Sequence, residues 1–574
     1  MRKHWILCVV IVLLLSACSN GNVKTEKLGE NSPAYFEWFD YQGDDAVFRE
    51  PLAKDEYQNP ILAGFHPDPS VVRVGNDFYM VNSTFGFFPG IPIFHSQDLV
   101  HWSQIGNVIH RPEQLSFDGL SLVYNGVYAP AIEHKDGIFY VINTCVACGG
   151  NFVVTATNPA GPWSDPIWLP HIQGIDPSIY FDDNGKTYIV HHRDPLGKRY
   201  PAHTALWLME VDLQNNFAPL SDDVMLVDGG EPAPWHTEYI EGPHLYKVNG
   251  MYYLSAPGGG TGYFHGQLVY RAKEIFGPYE AYRNNPVLTQ WGLPDDRPNP
   301  VTATGHGDMV EDKNGDWWMV FLGTRVYDLN TPPQDPGNFH TGRETFMLPV
   351  TWKNGWPIVL EKGEILPYRV KKPNLTTRTS VGSTTGNFSV REMFSEAELG
   401  PEWLFVRTPR TRWWQLSENG LAIQPRAERI GDKKQPSFIG RRLAHMKASF
   451  GTKLRFEPSN NSEAGLLALQ TDNNFYAFGL SLNVQNKPIL QVRKKSGKND
   501  NQYGEVVAET VLSLEPGSPV YLKMAIDKAR LDFYYSLNGD HYQTVLTNAD
   551  AKVLTTQSAG GFVGAIVGMF AEQK

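Results

Sequence analysis

Asp68, Asp176 and Glu241 are the residues of this sequence best placed to do chemistry. They stand in His66-Pro67-Asp68-Pro69, Ile175-Asp176-Pro177 and Glu241-Gly242-Pro243, each 11 or 12 residues before an aromatic of a recurring strand pattern. Ala129, in Tyr128-Ala129-Pro130, and His306, in Gly305-His306-Gly307-Asp308, occupy the same offset in two further copies. Carboxylates that converge repel one another when all are ionised, so a purely structural purpose would be costly. The arrangement suits general acid/base work, in which neighbours raise one carboxyl's pKa and leave another ionised. Two other readings compete. A lone Asp-Pro initiates a turn without chemistry, and Asp, Glu and His are all metal ligands. Matched offsets in a repeat argue against turns alone, and the set forms no compact metal-binding motif.

The elements that must position these residues follow from the repeat itself. Gly75-Asn76-Asp77-Phe78-Tyr79-Met80 recurs as Asp136-Gly137-Ile138-Phe139-Tyr140-Val141 and as Asn184-Gly185-Lys186-Thr187-Tyr188-Ile189. It returns again as Asn249-Gly250-Met251-Tyr252-Tyr253-Leu254 and Asn314-Gly315-Asp316-Trp317-Trp318-Met319. Each copy is a tight turn feeding an aromatic-rich strand, a hairpin signal. The aligned Tyr79, Tyr140, Tyr188, Tyr253 and Trp318 are 61, 48, 65 and 65 residues apart. That period fits a four-stranded blade with insertions, and five copies predict a five-bladed β-propeller. Equivalent positions in successive blades ring the propeller axis, which brings the acids to the channel mouth. A Pro or Gly after each one ends or bends the strand there.

Composition agrees with an all-β chain. Among 574 residues there are 53 Gly and 41 Pro, with 30 Phe, 26 Tyr and 15 Trp, as many short strands and tight turns require. The net charge of −11, with no basic block to offset it, argues against a nucleic-acid binder. Only 19% of residues are charged, which argues against disorder.

Arg2 and Lys3 precede an apolar run from Trp5 to Leu15, too short to span a bilayer, and then comes Leu15-Ser16-Ala17-Cys18. This is an export-signal pattern. Its ending resembles the lipobox of bacterial lipoproteins, which implies that Cys18 is the lipidated mature N-terminus and that the protein is held in the bacterial cell envelope, on the outer membrane or facing the periplasm. An ordinary secretory signal is the alternative. Cys145 and Cys148 sit in a hairpin turn ending at Gly149-Gly150. One CxxC cannot close a four-ligand zinc site, and no thioredoxin-like pattern surrounds it, so it reads as a structural turn that an oxidising compartment could bridge.

The segments Asn59-Pro60-Ile61-Leu62-Ala63-Gly64-Phe65-His66-Pro67-Asp68-Pro69-Ser70, Gly174-Ile175-Asp176-Pro177-Ser178 and Ile240-Glu241-Gly242-Pro243-His244 resemble the catalytic propeller of glycoside hydrolase family 43. Phe88-Pro89-Gly90-Ile91-Pro92-Ile93, Thr304-Gly305-His306-Gly307-Asp308 and Gly342-Arg343-Glu344-Thr345-Phe346 extend the resemblance in order. It implies that Asp68 is a general base, Glu241 a general acid, and Asp176 the residue that tunes the acid and orients substrate, in an inverting glycosidase. It implies that Arg343 contacts sugar hydroxyls in the innermost subsite. His306 would be the central channel residue that holds an ion or a water cluster; no cofactor is required, with Ca²⁺ in the channel as an option. Phe85, Phe87, Phe88 and Trp102 are aromatics that could stack on a pentose ring, and Phe88 and Trp102 are assigned to the pocket. Family β-xylosidases often carry Glu-Trp before Phe-Pro-Gly; here Gly86-Phe87 stands there, leaving xylose and arabinofuranose both open.

Beyond residue 371 the chain is rich in Lys, Thr, Ser and Gly, then alternates again at Val520, Leu522, Met524 and Ile526 and at Leu531, Phe533 and Tyr535. Glu402-Trp403 through Trp413-Trp414 and Asn461-Ser462-Glu463-Ala464-Gly465-Leu466 resemble the concanavalin-like C-terminal domain of the family's β-xylosidase-type members. The expected organisation is a signal peptide at 1–18, a tether and lead-in at 19–58, the propeller at 59–370, a linker at 371–389 and a β-sandwich at 390–574. In such relatives the sandwich can wall off the pocket, and a pocket accepts chain ends. The resemblance therefore implies an exo-acting hydrolase that removes terminal β-D-xylosyl or α-L-arabinofuranosyl residues from xylo- or arabino-oligosaccharides derived from hemicellulose. An endo-arabinanase with an open groove and a catalytically silent sugar-binding propeller are the alternatives, and the sandwich by itself could be a carbohydrate-binding module.

Overall fold

The computed structural model describes residues 24–25, 32–229, 236–329, 335–376 and 383–574; Cys18 and the expected signal segment lie outside them. Five antiparallel sheets, each with a core of four strands in sequence order, form the propeller. Their innermost strands are Ser70–Val74, Ala131–Lys135, Ile175–Phe181, His244–Val248 and Val301–Glu311. The repeated turns form as expected. Asp136-Gly137 and Asn249-Gly250 have both φ angles positive, the requirement of a two-residue type I′ hairpin. The ring is drawn together by the lead-in: Leu62 and Thr345 exchange backbone hydrogen bonds of 3.2 Å, and the Asn59 amide both donates to and accepts from the Met347 backbone.

The second unit is a sandwich of two large sheets. One runs through Gly420–Ile423, Ala34–Gly43, Lys447–Arg455, Val520–Asp527 and Arg530–Ser536. The expectation of a tether over 19–58 is therefore corrected at Ala34–Gly43. This ten-residue strand pairs with Lys447–Arg455 and buries Ala34, Phe36, Phe39 and Tyr41, so this segment belongs to the sandwich although it precedes the propeller in sequence. The other sheet extends from Glu505–Val511 through Ser462–Thr471 and Ile566–Gln573 to Leu404–Val406. Its last strand is Phe87–Phe88 of the propeller, which pairs with Phe405 and Val406 and joins the two units in one sheet.

Polar contacts fix the seam. Arg325, 1% exposed, donates to both Glu344 oxygens at 2.6 and 2.8 Å and to Asp45 at 2.6 Å. The later part of the expected linker is pinned as well, with Ala63 N–H donating to Thr384 O at 2.8 Å and Thr385 Oγ1 to Pro60 O at 2.6 Å. Gly342 meets Gly564 so closely that a Cβ would lie 2.8 Å from its backbone, so a side chain at Gly342 would push the units apart.

Cys145 and Cys148 are disulfide-bonded across their turn. Cys145 is paired with Val127, next to Tyr128, so the bridge braces the strand end behind the channel mouth.

Candidate active site

Asp68, Asp176 and His306 share a left-handed backbone, with φ of 52°, 51° and 51°. Such a φ is uncommon outside glycine, and residues held this way cluster at functional sites. Pairing in the innermost strands is irregular at Ile175/Ser178 and on both sides of Gly305, the bulges that turn Asp176 and His306 inward. Gly242, φ 48°, lets the chain after Glu241 pass against His306; a Cβ there would sit 2.6 Å from the imidazole Nε2.

These residues meet at a cavity of about 370 Å³ at the channel mouth. Asp68, Asp176, Glu241, His306 and Arg343 all line it, so the structure brings together the acids, the histidine and the arginine singled out in the sequence. Phe88 and Trp102 are not there. Trp102 is fully buried in the outer core of the first blade with Tyr57, Leu99 and Trp318, and its indole N–H donates to Leu99 O at 2.8 Å. Phe88 is committed to the sheet shared with the sandwich. Both assignments are corrected. The aromatic walls are Phe85, Tyr128, Tyr239 and Phe562.

Phe562 reaches the cavity from the sandwich, and no local signal in the sequence marks it. Its ring stacks on Phe85 with centroids 5.7 Å apart, and its carbonyl accepts from the Arg343 guanidinium at 3.3 and 3.4 Å. The sandwich thus supplies part of the wall and holds the arginine.

The electrostatics separate the acids. Asp68 is 4% exposed, and burial alone would raise its pKa. Arg343, donating at 2.7 and 3.3 Å to the two carboxylate oxygens, His306 and a 2.5 Å hydrogen bond from the Ser83 hydroxyl together outweigh it, and the pKa falls below the ordinary value. Glu241 moves the other way, to about 7, through burial and the negative charge of Asp68. Asp176 is raised as well by burial and by its two acidic neighbours. The pocket therefore pairs one firmly ionised carboxylate with two carboxyls that tend to keep protons, the separation that acid/base catalysis needs.

His306 is held neutral, its pKa lowered to about 4 by burial, with Nδ1 3.7 Å from Asp68 Oδ1. Ca²⁺ takes six to eight oxygen ligands. The carboxylate nearest His306 is already committed to Arg343, so these side chains do not make a protein-built Ca²⁺ cage.

Residues 57–357 match the family described as glycosyl hydrolases family 43, and residues 391–574 match the β-xylosidase C-terminal concanavalin A-like domain. A non-reducing end α-L-arabinofuranosidase of Bacteroides ovatus is 36% identical over 527 residues, 91% of this chain and 92% of that protein. A xylosidase/arabinosidase of Butyrivibrio fibrisolvens is 36% identical over 529 residues, 89% of this chain and 95% of that one. The crystal structure of a GH43_12 protein retrieved from a capybara gut metagenome superposes with a TM-score of 0.85 at 36% identity, covering 95% of this chain and all of that one. A xylan β-1,4-xylosidase from Bacillus halodurans superposes with a TM-score of 0.79 at 30% identity, covering 90% and 96%.

Proposed function

The chain belongs to glycosyl hydrolase family 43, and from that premise we propose that it is an exo-acting, inverting enzyme that removes non-reducing terminal pentosyl residues, α-L-arabinofuranosyl or β-D-xylosyl, from hemicellulose-derived oligosaccharides. The observation that carries this reading is the pKa separation within one pocket, Asp68 held ionised by Arg343 beside Glu241 pushed up to about 7. Glu241, protonated, donates to the glycosidic oxygen as the bond to the anomeric carbon breaks. Asp68 takes a proton from a water that attacks the opposite face of the sugar. Asp176, beside the acid, orients the sugar, and Arg343 holds the base and offers its remaining N–H groups to hydroxyls. Water displaces the leaving group at the anomeric carbon, one C–O bond breaking as another forms, and the two proton transfers that accompany it are made by these side chains, so the reaction calls for no cofactor.

Exo action is supported by the wall that Phe562 and its sandwich loop add to the channel mouth. The choice of sugar is supported by relatives whose names carry both activities, the arabinofuranosidase of Bacteroides ovatus among them. Release of p-nitrophenol from α-L-arabinofuranoside and β-D-xylopyranoside, with Glu241→Ala as control, tests the proposal. Activity on either that the variant loses is expected, and their ratio assigns the sugar. Silence on both aryl glycosides and on natural pentose oligosaccharides would refute it.

We also propose that Cys18 is lipidated and anchors the enzyme in the bacterial envelope, from the Leu15-Ser16-Ala17-Cys18 pattern. Cys18→Ala should move the protein from the membrane to the soluble fraction, and unchanged partitioning would refute the anchor.

A further inference from the structure

The strand beside Asp176 carries a histidine that the hydrolytic reading leaves without a task. His192 lies in Thr187–Arg193, in register with Ile175, the residue before Asp176. It is 9% exposed, and its buried Nδ1 has no hydrogen-bond partner among the described residues. One ligand atom each from His192, Asp176 and Glu241 lie within 4.8 Å of one another. A buried polar atom without a partner is costly, and so are two carboxylates forced together. One cation among the three would engage an imidazole nitrogen and relieve the crowding of the two carboxyls.

We propose that Asp176, His192 and Glu241 form an inhibitory site for a divalent transition cation of the Zn²⁺ class, which competes with the terminal sugar. The donor set selects the ion class. One imidazole and two carboxylates are all Zn²⁺ ligand types and would leave a fourth position open, whereas Ca²⁺ and Mg²⁺ prefer oxygen alone. Tetrahedral bonds of about 2.0–2.1 Å place ligand atoms roughly 3.4 Å apart, so closure takes small side-chain movements from the spacing seen here. This site differs from the channel position of His306, which faces Asp68. Binding gives up the ligating protons to solvent and makes three coordinate bonds. With the Glu241 carboxylate engaged and its proton gone, no acid is left for the leaving group. The inhibitory consequence rests on the reading of Glu241 as general acid; the binding itself does not.

The test uses the full chain, free of any histidine tag and treated with chelator, titrated with ZnCl₂ by calorimetry. Aryl-glycoside kinetics run in parallel. The expected result is a saturable Zn²⁺ site whose affinity drops on the order of tenfold or more in His192→Gln and in the near-isosteric Glu241→Gln, while His306→Gln stays within about threefold of the parent. In the parent, Zn²⁺ should raise the apparent KM at constant kcat, reversibly with chelator. No saturable binding, binding indifferent to His192→Gln and Glu241→Gln, or binding lost in His306→Gln instead would overturn the proposal. Zn²⁺ binding with the expected variant pattern in a chain that hydrolyses no glycoside would uphold the metal site and refute the hydrolase reading, so the two fail separately.

Discussion

Replacing Arg343 with glutamine isolates the group that sets the base. The guanidinium donates to Asp68 at 2.7 and 3.3 Å, one strong and one long charge-assisted hydrogen bond, and it is the largest influence holding that buried carboxyl below its ordinary pKa. It also lowers Asp176 and Glu241, less than their other neighbours raise them. Losing it should therefore move both limbs of the kcat/KM–pH profile to higher pH: Asp68 would need a higher pH to ionise, and Glu241 would keep its proton longer. A hydrogen bond to a charged group contributes about 1.5–3 kcal/mol. At about 1.4 kcal/mol per decade, kcat/KM at the parent's optimum should fall by roughly 10- to 150-fold. Removing the cation also leaves a buried carboxylate short of donors, so the larger part of that range is expected. The assay is aryl-glycoside hydrolysis across about pH 2–10, which includes the parent's acidic limb below the ordinary carboxylate pKa, with circular dichroism at each pH to establish that the protein stays folded. An acidic limb that does not move, or one that moves down, in a folded Arg343→Gln would refute the electrostatic account of Asp68.

Other outcomes follow from the same geometry. In the parent, kcat/KM should decline as pH rises through about 7, because Glu241 works only while protonated, and should hold down to below the ordinary carboxylate pKa on the acid side; a rate constant to pH 9 would contradict the assignment of the acid. Phe562→Ala should raise KM by roughly 5- to 30-fold with little change in kcat, since about 1–2 kcal/mol of aromatic contact is lost while the backbone carbonyl that holds Arg343 remains; an unchanged KM would show that the sandwich wall does not touch substrate. A chain lacking residues 19–43 should fail to fold its sandwich. Phe36, Phe39 and Tyr41 are each at most 1% exposed, and burying three such side chains is worth roughly 5–9 kcal/mol, comparable to a whole domain's stability; a soluble variant with the parent's melting temperature would refute the placement of that strand.

The propeller was legible because its information is local. A tight turn, Asn/Asp-Gly in four copies and Gly-Asn in the first, recurs five times with the strand after it, and the offset back to Asp68, Ala129, Asp176, Glu241 and His306 is preserved. Contacts between distant segments leave no such mark. Phe562 and Arg343 are 219 residues apart, and the strand Ala34–Gly43 finds its partner more than four hundred residues on, with Trp38 O accepting from Thr452 Oγ1. Ala34 and Phe36 alternate, as do Phe39 and Tyr41, but an irregularity between Phe36 and Phe39 breaks the period and nothing nearby completes a sheet, so the segment reads as lead-in. Trp102 misleads for another reason. It follows the Phe-Pro-Gly segment closely, but only the structure settles which way a side chain faces, and this one faces the outer core of its blade. His192 carried no signal because its offset falls outside the repeat that exposed the others.

Proton NMR of the first turnovers on an arabino- or xylo-oligosaccharide tests the central claim most directly, since it reads the bond cleaved, the sugar released and its anomeric configuration together. The account predicts release of single pentose units from the non-reducing end, each appearing first as the anomer opposite to that of the bond broken. Retained configuration would contradict the roles given to Asp68 and Glu241, and a ladder of internal fragments would contradict exo action at the walled pocket.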